Sequence, residues 1–337
     1  MGAGHAGSLY REAGGWAVAL SVFDTDVRLY VFDEPRERAA LLLHAAEERC
    51  RFFERTLSRT RADSDIARAY VVAPHPVCVA PETAELVACA LDYGAQSRGR
   101  FDITMGTVTR LWDFHRGVVP ERAALERALG HVGAGCVRVG RADGDGRGLA
   151  GAAATAATAA VPTLAILDPE TVLDLGGIAK GYVADDLCAR FAAAGARRFL
   201  VNLGGNVAAR GGKGGGEPWR VGVADPRDPE RSCAVIELAD GSAVTSGAHE
   251  RCFTADGVTY HHILDPRTGM PAITDAASVT IVAERSLDCD GYSTTAFMLG
   301  MEEGAAFVEG IPGVEGLFVG RDGRIAWTGG LAGRVRA

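Results

Sequence analysis

Two adjacent glycines and a lysine at the mouth of a helix restrict this chain more than any other feature. Residues 173 to 182 read Leu-Asp-Leu-Gly-Gly-Ile-Ala-Lys-Gly-Tyr. They follow the apolar run Leu164 to Leu167 and the Asp168-Pro169 break. After Gly181 the residues Val183, Leu187, Cys188, Phe191 and Ala192 recur at helical spacing. Paired glycines leave the backbone open to close approach. A helix N-terminus aims free N–H groups at an anion. Lys180 adds a point charge suited to phosphate, and Asp174 can accept from a ligand hydroxyl or ring N–H. A tight turn with no ligand would use the same glycines.

The rest of the chain limits what such a turn could serve. With 337 residues there is room for one large or two medium domains, and 47% hydrophobic with 23% charged residues is ordinary for a globular protein. A net charge of −8 argues against nucleic acid or an anionic membrane as partner. No apolar run approaches the roughly 18–20 residues of a membrane span. Met1 to Gly15 carries no charged-then-apolar signal and no lipobox cysteine, so the expected address is the cytoplasm. The eight cysteines are scattered and form no CxxC pair, which indicates neither a zinc site nor a disulfide framework.

Residues 1–15 read as disordered, and residues 16–330 as a single two-lobed domain. Trp16–Phe23 and Val27–Phe32 read as a hairpin around Asp24 and Asp26. A helix opens at Pro35 with an inner stripe of Ala39, Leu42, Ala46, Cys50, Phe53 and Leu57. Asp63-Ser64-Asp65 reads as a cap, and a second helix runs from about Pro81 to Ser97. Residues 141–161 are rich in Gly, Ala and Thr and read as a surface insertion. Strands follow at Phe199–Leu203, Arg220–Ala224, Ala234–Leu238, Ala243–Ser246 and Ser278–Ala283. A helix begins at Asp290, and Leu317–Val319 and Arg324–Trp327 close the chain as a hairpin. The fold class is α+β, with sheets flanked by helices.

Three further segments could carry chemistry. Asp290 and Thr294 lie four residues apart at the expected helix start, so both oxygens share one face. Oxygen donors of this kind suit Mg²⁺, which takes one or two carboxylates and leaves the rest to phosphate and water. An N-cap aspartate followed by a solvated threonine is the plainer reading. His262 precedes a Pro-Arg-Thr-Gly turn and could serve as acid/base or orienting donor, or simply bond the Asp265 turn. His261 alternates with it, so only one of the two can face a site. Asn202-Leu-Gly-Gly-Asn206 follows a strand as a ligand loop would, and also suits a plain turn. The Gly211–Gly216 run lacks the helix and the Lys-Ser/Thr ending of a phosphate loop.

The segments at 101–114, 173–182, 200–205, 245–247, 262–269 and 290–300 occur together and in order. In this the chain resembles the FAD:protein FMN transferase (ApbE) family over roughly residues 16 to 330. The resemblance implies a two-lobed, T-fold-like α+β architecture with mixed or antiparallel sheets. It implies FAD in a cleft with Mg²⁺ on its pyrophosphate, and transfer of FMN to a Thr or Ser hydroxyl of an acceptor protein with release of AMP. By the same resemblance Asp174 and Lys180 contact the flavin, and Asp102, Ile103 and Thr104 line it. The Gly177 carbonyl, Asp290 and Thr294 hold the metal. His262 sits beside the transferred phosphate, with Asp290 as the alternative proton acceptor.

Two positions depart from the family pattern. Gly14 to Ala19 shows no Met-Gly-Thr segment, whose methionine rests on the flavin. Thr60 stands where an aromatic ring follows the Leu-Ser pair, so Trp16 or another ring would have to compensate. These departures leave two alternatives open: an FAD pyrophosphatase giving FMN and AMP, and a flavin-binding protein without turnover.

Overall fold

The computed structural model describes residues 8–142 and 160–337. Strand β1 (Tyr10–Glu12) pairs with β2 (Gly15–Val22), and β2 with β3 (Thr25–Val31). Tyr10–Glu12 therefore corrects the expectation of disorder through residue 15: the turn at Ala13 and Gly14 folds it back on β2 as an edge strand. Helix α1 (Arg36–Leu57) buries Ala39, Leu43, Ala46, Cys50 and Phe53. The stripe is the expected one with Leu43 in place of Leu42, one step round the helix, and with Leu57 only half-buried at its end. The Ser64 side chain caps α2 (Asp65–Val72) by accepting from Ala67 N at 2.9 Å. Strand β4 (Val77–Cys78), helix α3 (Pro81–Gln96), the single turn α4 (Gly106–Thr109) and α5 (Arg122–Leu129) follow.

Strands β5 (Val137–Ala142) and β6 (Val161–Ile166) pair antiparallel, with Ala142 opposite Val161. Of the composition-biased stretch expected as an insertion, residues 143–159 lie outside the described residues. Next come α6 (Ala179–Ala193), β7 (Phe199–Leu203), β8 (Asn206–Arg210), β9 (Trp219–Asp225), β10 (Asp228–Leu238) and β11 (Gly241–Gly247). The hairpin β12 (Cys252–Ala255) and β13 (Val258–His261) leads to β14 (Ala276–Ala283). Helix α7 (Ser286–Glu309), β15 (Glu315–Gly320), β16 (Ile325–Trp327) and β17 (Val335–Arg336) end the chain.

The architecture is α+β. One nine-stranded sheet, ordered β1-β2-β3-β7-β8-β11-β14-β15-β16, is antiparallel throughout. Alternation along its strands splits their side chains between two cores. Val27, Leu29 and Val31 of β3 and Val201 of β7 meet Leu43, Phe53, Leu187 and Phe191 of α1 and α6. Val279 and Ile281 of β14 and Phe318 of β15 meet Ala296 and Phe297 of α7. On the opposite face Val282, Leu317 and Val319 pack against Trp219, Ile236 and Leu238 of the small sheet β17-β10-β9. Helices α1, α6 and α7 thus cover one face, and their ends converge beside the turns of β2–β3 and β7–β8. Among the described residues no helix is long and apolar enough to cross a membrane.

Helix α7 begins at Ser286, one turn before the expected start at Asp290. The cause lies elsewhere in the chain. Asp185 of α6 accepts from Ser286 N at 2.7 Å and Leu287 N at 3.0 Å, supplying the cap that Arg285 lacks. Asp290 is accordingly not the N-cap.

Candidate functional site

A cavity of about 790 Å³ lies where α1, α6, α7 and the β7–β8 turn meet. That size falls within the range of cofactor sites. Asp102, Asp174, Gly177, Lys180, His262, Asp290 and Thr294 all line it. Seven positions from four distant segments are therefore brought together.

Ile103 and Thr104 do not line the cavity. Ile103 is 2% exposed and belongs to the core, and Thr104 is fully buried. Both act on their neighbours instead. The Ile103 carbonyl accepts from Asp174 N at 2.7 Å. The Thr104 hydroxyl donates to Asp102 Oδ1 and accepts from Gly133 N at 2.8 Å. A Cβ on Gly106 would lie 2.6 Å from the Val172 carbonyl, so only glycine lets the 102–106 segment close on 172–174. Backbone contact of this kind places Asp102 beside Asp174, whose Oδ1 also accepts from Gly176 N at 2.9 Å.

Helices α6 and α7 cross at Gly181, whose N–H donates to Asp290 Oδ2 at 2.6 Å. Asp290 is 4% exposed and forms no ion pair among the described residues. Burial pushes its carboxyl up to about 6, opposed by the Lys180 charge and the Gly181 N–H. The Asn206 amide nitrogen is buried without a hydrogen bond of good geometry, yet its dipole also favours the Asp290 anion. A buried carboxylate this weakly compensated, open on one side to a cleft and followed by Thr294 one turn on, offers oxygen donors to a divalent cation. No cluster of three or more His, Cys, Asp or Glu suited to a metal occurs among the described residues. Asp290, Thr294 and Gly177 line the same cavity, and a carboxylate, a hydroxyl and a backbone carbonyl are the oxygen donors that could hold a divalent cation there.

His262 faces the cavity and His261 faces away, with its ring edge-on to Phe297 at 5.6 Å. Asp265 does not hold His262: its carboxylate takes the Arg267 guanidinium at 2.6 Å. The Nδ1 of His262 is buried and makes no hydrogen bond of good geometry among the described residues, although the Arg251 backbone lies close enough to favour its protonated form. Burial first, and then the Arg251 charge, pull its pKa down to about 4. His262 is therefore neutral at pH 7 and able to accept a proton. An unfolded histidine takes up its proton near 6.5, so between pH 6.5 and 4 the unfolded chain holds more protons and stability falls with pH. By pH 5 this amounts to about 2 kcal/mol. His262→Gln is expected to lose that much less stability than the parent between pH 7.5 and 5, read by denaturant unfolding at each pH.

Sequence reasoning missed several cavity residues: Phe23, Asp24, Arg59, Arg100, Glu250 and Arg251. Glu250 and Arg251 follow the Thr245-Ser-Gly247 segment and could have been found by extending it. Nothing local marked Phe23 or Asp24. Trp16 does not line the cavity; its indole N–H donates to the Glu34 carbonyl at 3.2 Å.

Residues 23–318 match the model of the ApbE family. The chain belongs to the ApbE family. A FAD:protein FMN transferase of Treponema pallidum is 36% identical over 94% of this chain and 87% of its own. One of Salmonella typhimurium is 31% identical over 73% of this chain and 68% of its own. The crystal structure of an ApbE protein of Thermotoga maritima superposes with a TM-score of 0.81 at 29% identity, covering 96% of this chain and 100% of that one. The flavinyl transferase ApbE of Pseudomonas stutzeri gives 0.77 at 27% identity over 97% of both chains. The two superpositions cover nearly the whole chain, so the family membership extends to the fold as a whole.

Proposed function

We propose that this protein transfers FMN from FAD to a threonine or serine hydroxyl of an acceptor protein, releasing AMP, with Mg²⁺ bound. The observation that carries this reading is the convergence on one cavity of a buried, weakly compensated carboxylate, a lysine and a neutral histidine. Gly177, Asp290 and Thr294 would hold the cation, which when bound neutralises pyrophosphate charge. Lys180, at the start of α6, adds positive charge on the same substrate group. Asp174 and Asp102 offer carboxylate oxygens to flavin N–H and hydroxyl groups. The acceptor oxygen attacks the flavin-side phosphorus, the bond to the bridging oxygen breaks, and AMP leaves carrying that oxygen. The proton lost by the acceptor hydroxyl passes to His262. Exclusion of water by the acceptor segment separates transfer from hydrolysis.

The purified protein, incubated with FAD, Mg²⁺ and an acceptor, is expected to leave a covalent, fluorescent flavin on the acceptor and one AMP per flavin. EDTA in place of Mg²⁺ is expected to reduce the rate by at least about 100-fold, in line with loss of an electrostatic clamp. Normal FAD binding with no covalent flavin would overturn the proposal. FMN and AMP as the sole products would convert it to pyrophosphate hydrolysis.

A further inference from the structure

The β12–β13 hairpin is rooted at the cavity and leaves one of its edges unused. Ala255 pairs with Val258 across a two-residue turn, Asp256-Gly257, whose φ angles are 50° and 77°. His262 N donates to the Arg251 carbonyl at 3.1 Å, so residues 251 and 262 form a hydrogen-bonded pair at the root of the hairpin. Bonded pairs alternate with open ones along an antiparallel ladder, which makes 253–260 and 255–258 bonded as well. The N–H and C=O groups of Cys252 and Thr254 therefore point away from β13. Among the described residues β12 pairs with no other strand, and Cys252 and Thr254 are both exposed. The β13 side differs. There the Ile263 carbonyl accepts from Ala272 N at 2.9 Å, and Leu264 bridges to Pro271, so the chain itself runs along that edge.

The β12 edge is held in place and unguarded. Phe253 stacks on Tyr260 at 5.3 Å, Phe114 lies 5.8 Å from Phe253, and Trp112 lies 5.7 Å from Tyr260. These rings fix one face of the hairpin against the chain after α4. Folded proteins usually protect an edge strand with charge, proline or a bulge. Cys252–Ala255 reads Cys-Phe-Thr-Ala, with none of these, and its register is unbroken. The residues just before it, Glu250 and Arg251, line the cavity, as do His262 and Phe114.

We propose that β12 is the docking edge for the acceptor protein. An extended segment of the acceptor pairs with Cys252–Ala255 as a third strand, and the residue bearing the hydroxyl, just past the paired stretch, enters the cavity at Arg251 and His262. The proposal rests on the flavin-transfer reading above. Flavin transfer brings a polypeptide to this cavity, and β12 offers it unspent donors and acceptors continuous with the cavity wall. Main-chain pairing of this kind gives affinity, while side-chain pockets give selectivity. The partner it fits is a flexible, strand-forming segment, not a hydroxyl presented on a helix.

The test uses a pool of short random-sequence peptides with a central threonine. It measures their flavinylation rate at sub-saturating peptide by mass spectrometry, together with the dissociation constant for FAD. Thr254→Pro removes an outward N–H at a position where an edge strand tolerates proline. It is expected to slow peptide labelling about tenfold, the scale of one or two lost hydrogen bonds, with FAD affinity unchanged. Thr254→Val keeps the amide and is expected to match the parent. The same pool N-methylated at alternate residues is expected to lose about as much with the parent enzyme, which needs no change to the hairpin. Parental labelling by Thr254→Pro, or equal labelling of plain and N-methylated peptides, would overturn the proposal. A parental dimer that Thr254→Pro abolishes would give the edge to a second copy of this chain, and overturn it too. A parent that labels proteins of a cell extract but no peptide would overturn the docking alone. One that binds FAD and labels neither would remove the flavin-transfer reading, and this inference with it.

Discussion

Asp290→Asn is expected to stop flavin transfer while leaving the fold intact, with kcat/KM falling at least 100- to 1,000-fold, the scale on which removal of a preorganised electrostatic group acts. The substitution is nearly isosteric, and the amide oxygen can still accept from Gly181 N, now at 2.6 Å from Oδ2. Only the charge is lost. Since Asp290 is 4% exposed with no ion-pair partner among the described residues, its charge costs the folded state, and the variant is expected to melt at the same temperature or higher. Asp290→Ala differs: it strands the buried Gly181 N–H and is expected to cost about 1–3 kcal/mol as well as activity. Activity, melting temperature and FAD affinity measured together separate the two effects. Retention of more than about a tenth of the parent rate in Asp290→Asn would remove this carboxylate from the reaction centre.

Much of this site was legible in the sequence, and the reason is local. The Leu173–Tyr182 stretch declares itself because glycine pairs, lysine and a helical stripe all lie within one window. Strand alternation required that only one of His261 and His262 face the cavity, and the family resemblance chose His262. Helices α1, α3 and α6 were legible too, from apolar periodicity, whereas α2, α4 and α5 were not marked as helices. What stayed hidden depends on partners far along the chain. Helix α7 starts at Ser286 because Asp185, a hundred residues earlier in sequence, caps it. The resemblance implied that Asp102, Ile103 and Thr104 line the flavin, yet of these three only Asp102 lines the cavity, because the Ile103 backbone is consumed in holding Asp174. Phe23 was invisible for a similar reason. It lies in the β2–β3 turn with φ 57°, where Asn-Gly is the usual chemistry, and only the fold brings that turn to the cavity. Sequence patterns report what a residue can do within its own element. They say little about which element will lean on it.

The α6–α7 crossing shows how much rides on one such contact, and Gly181→Val is expected to break it. A Cβ on Gly181 would lie 2.5 Å from the Ser286 carbonyl oxygen and 2.8 Å from Leu287 Cα. Both are backbone atoms of the first turn of α7, fixed by the Asp185 cap and by Ser286 Oγ donating to Asn206 Oδ1 at 2.7 Å. Neither can rotate away, so the helices must separate. Overpacking of this kind costs about 1–3 kcal/mol, and a branched side chain against backbone belongs at the upper end. A fall in Tm of about 3–4 °C is expected for a chain of this size. The separation also draws Lys180 on α6 away from Asp290 on α7, so turnover is expected to drop more than 100-fold even at temperatures where the variant stays folded. Gly135→Ala is the control: no heavy atom lies within 4 Å of a Cβ there, and a change within about 0.5 kcal/mol is expected. Should Gly181→Val keep parental turnover, the two helices do not need this distance between them, and the grip on the pyrophosphate must be set by the loop at 174–177 alone.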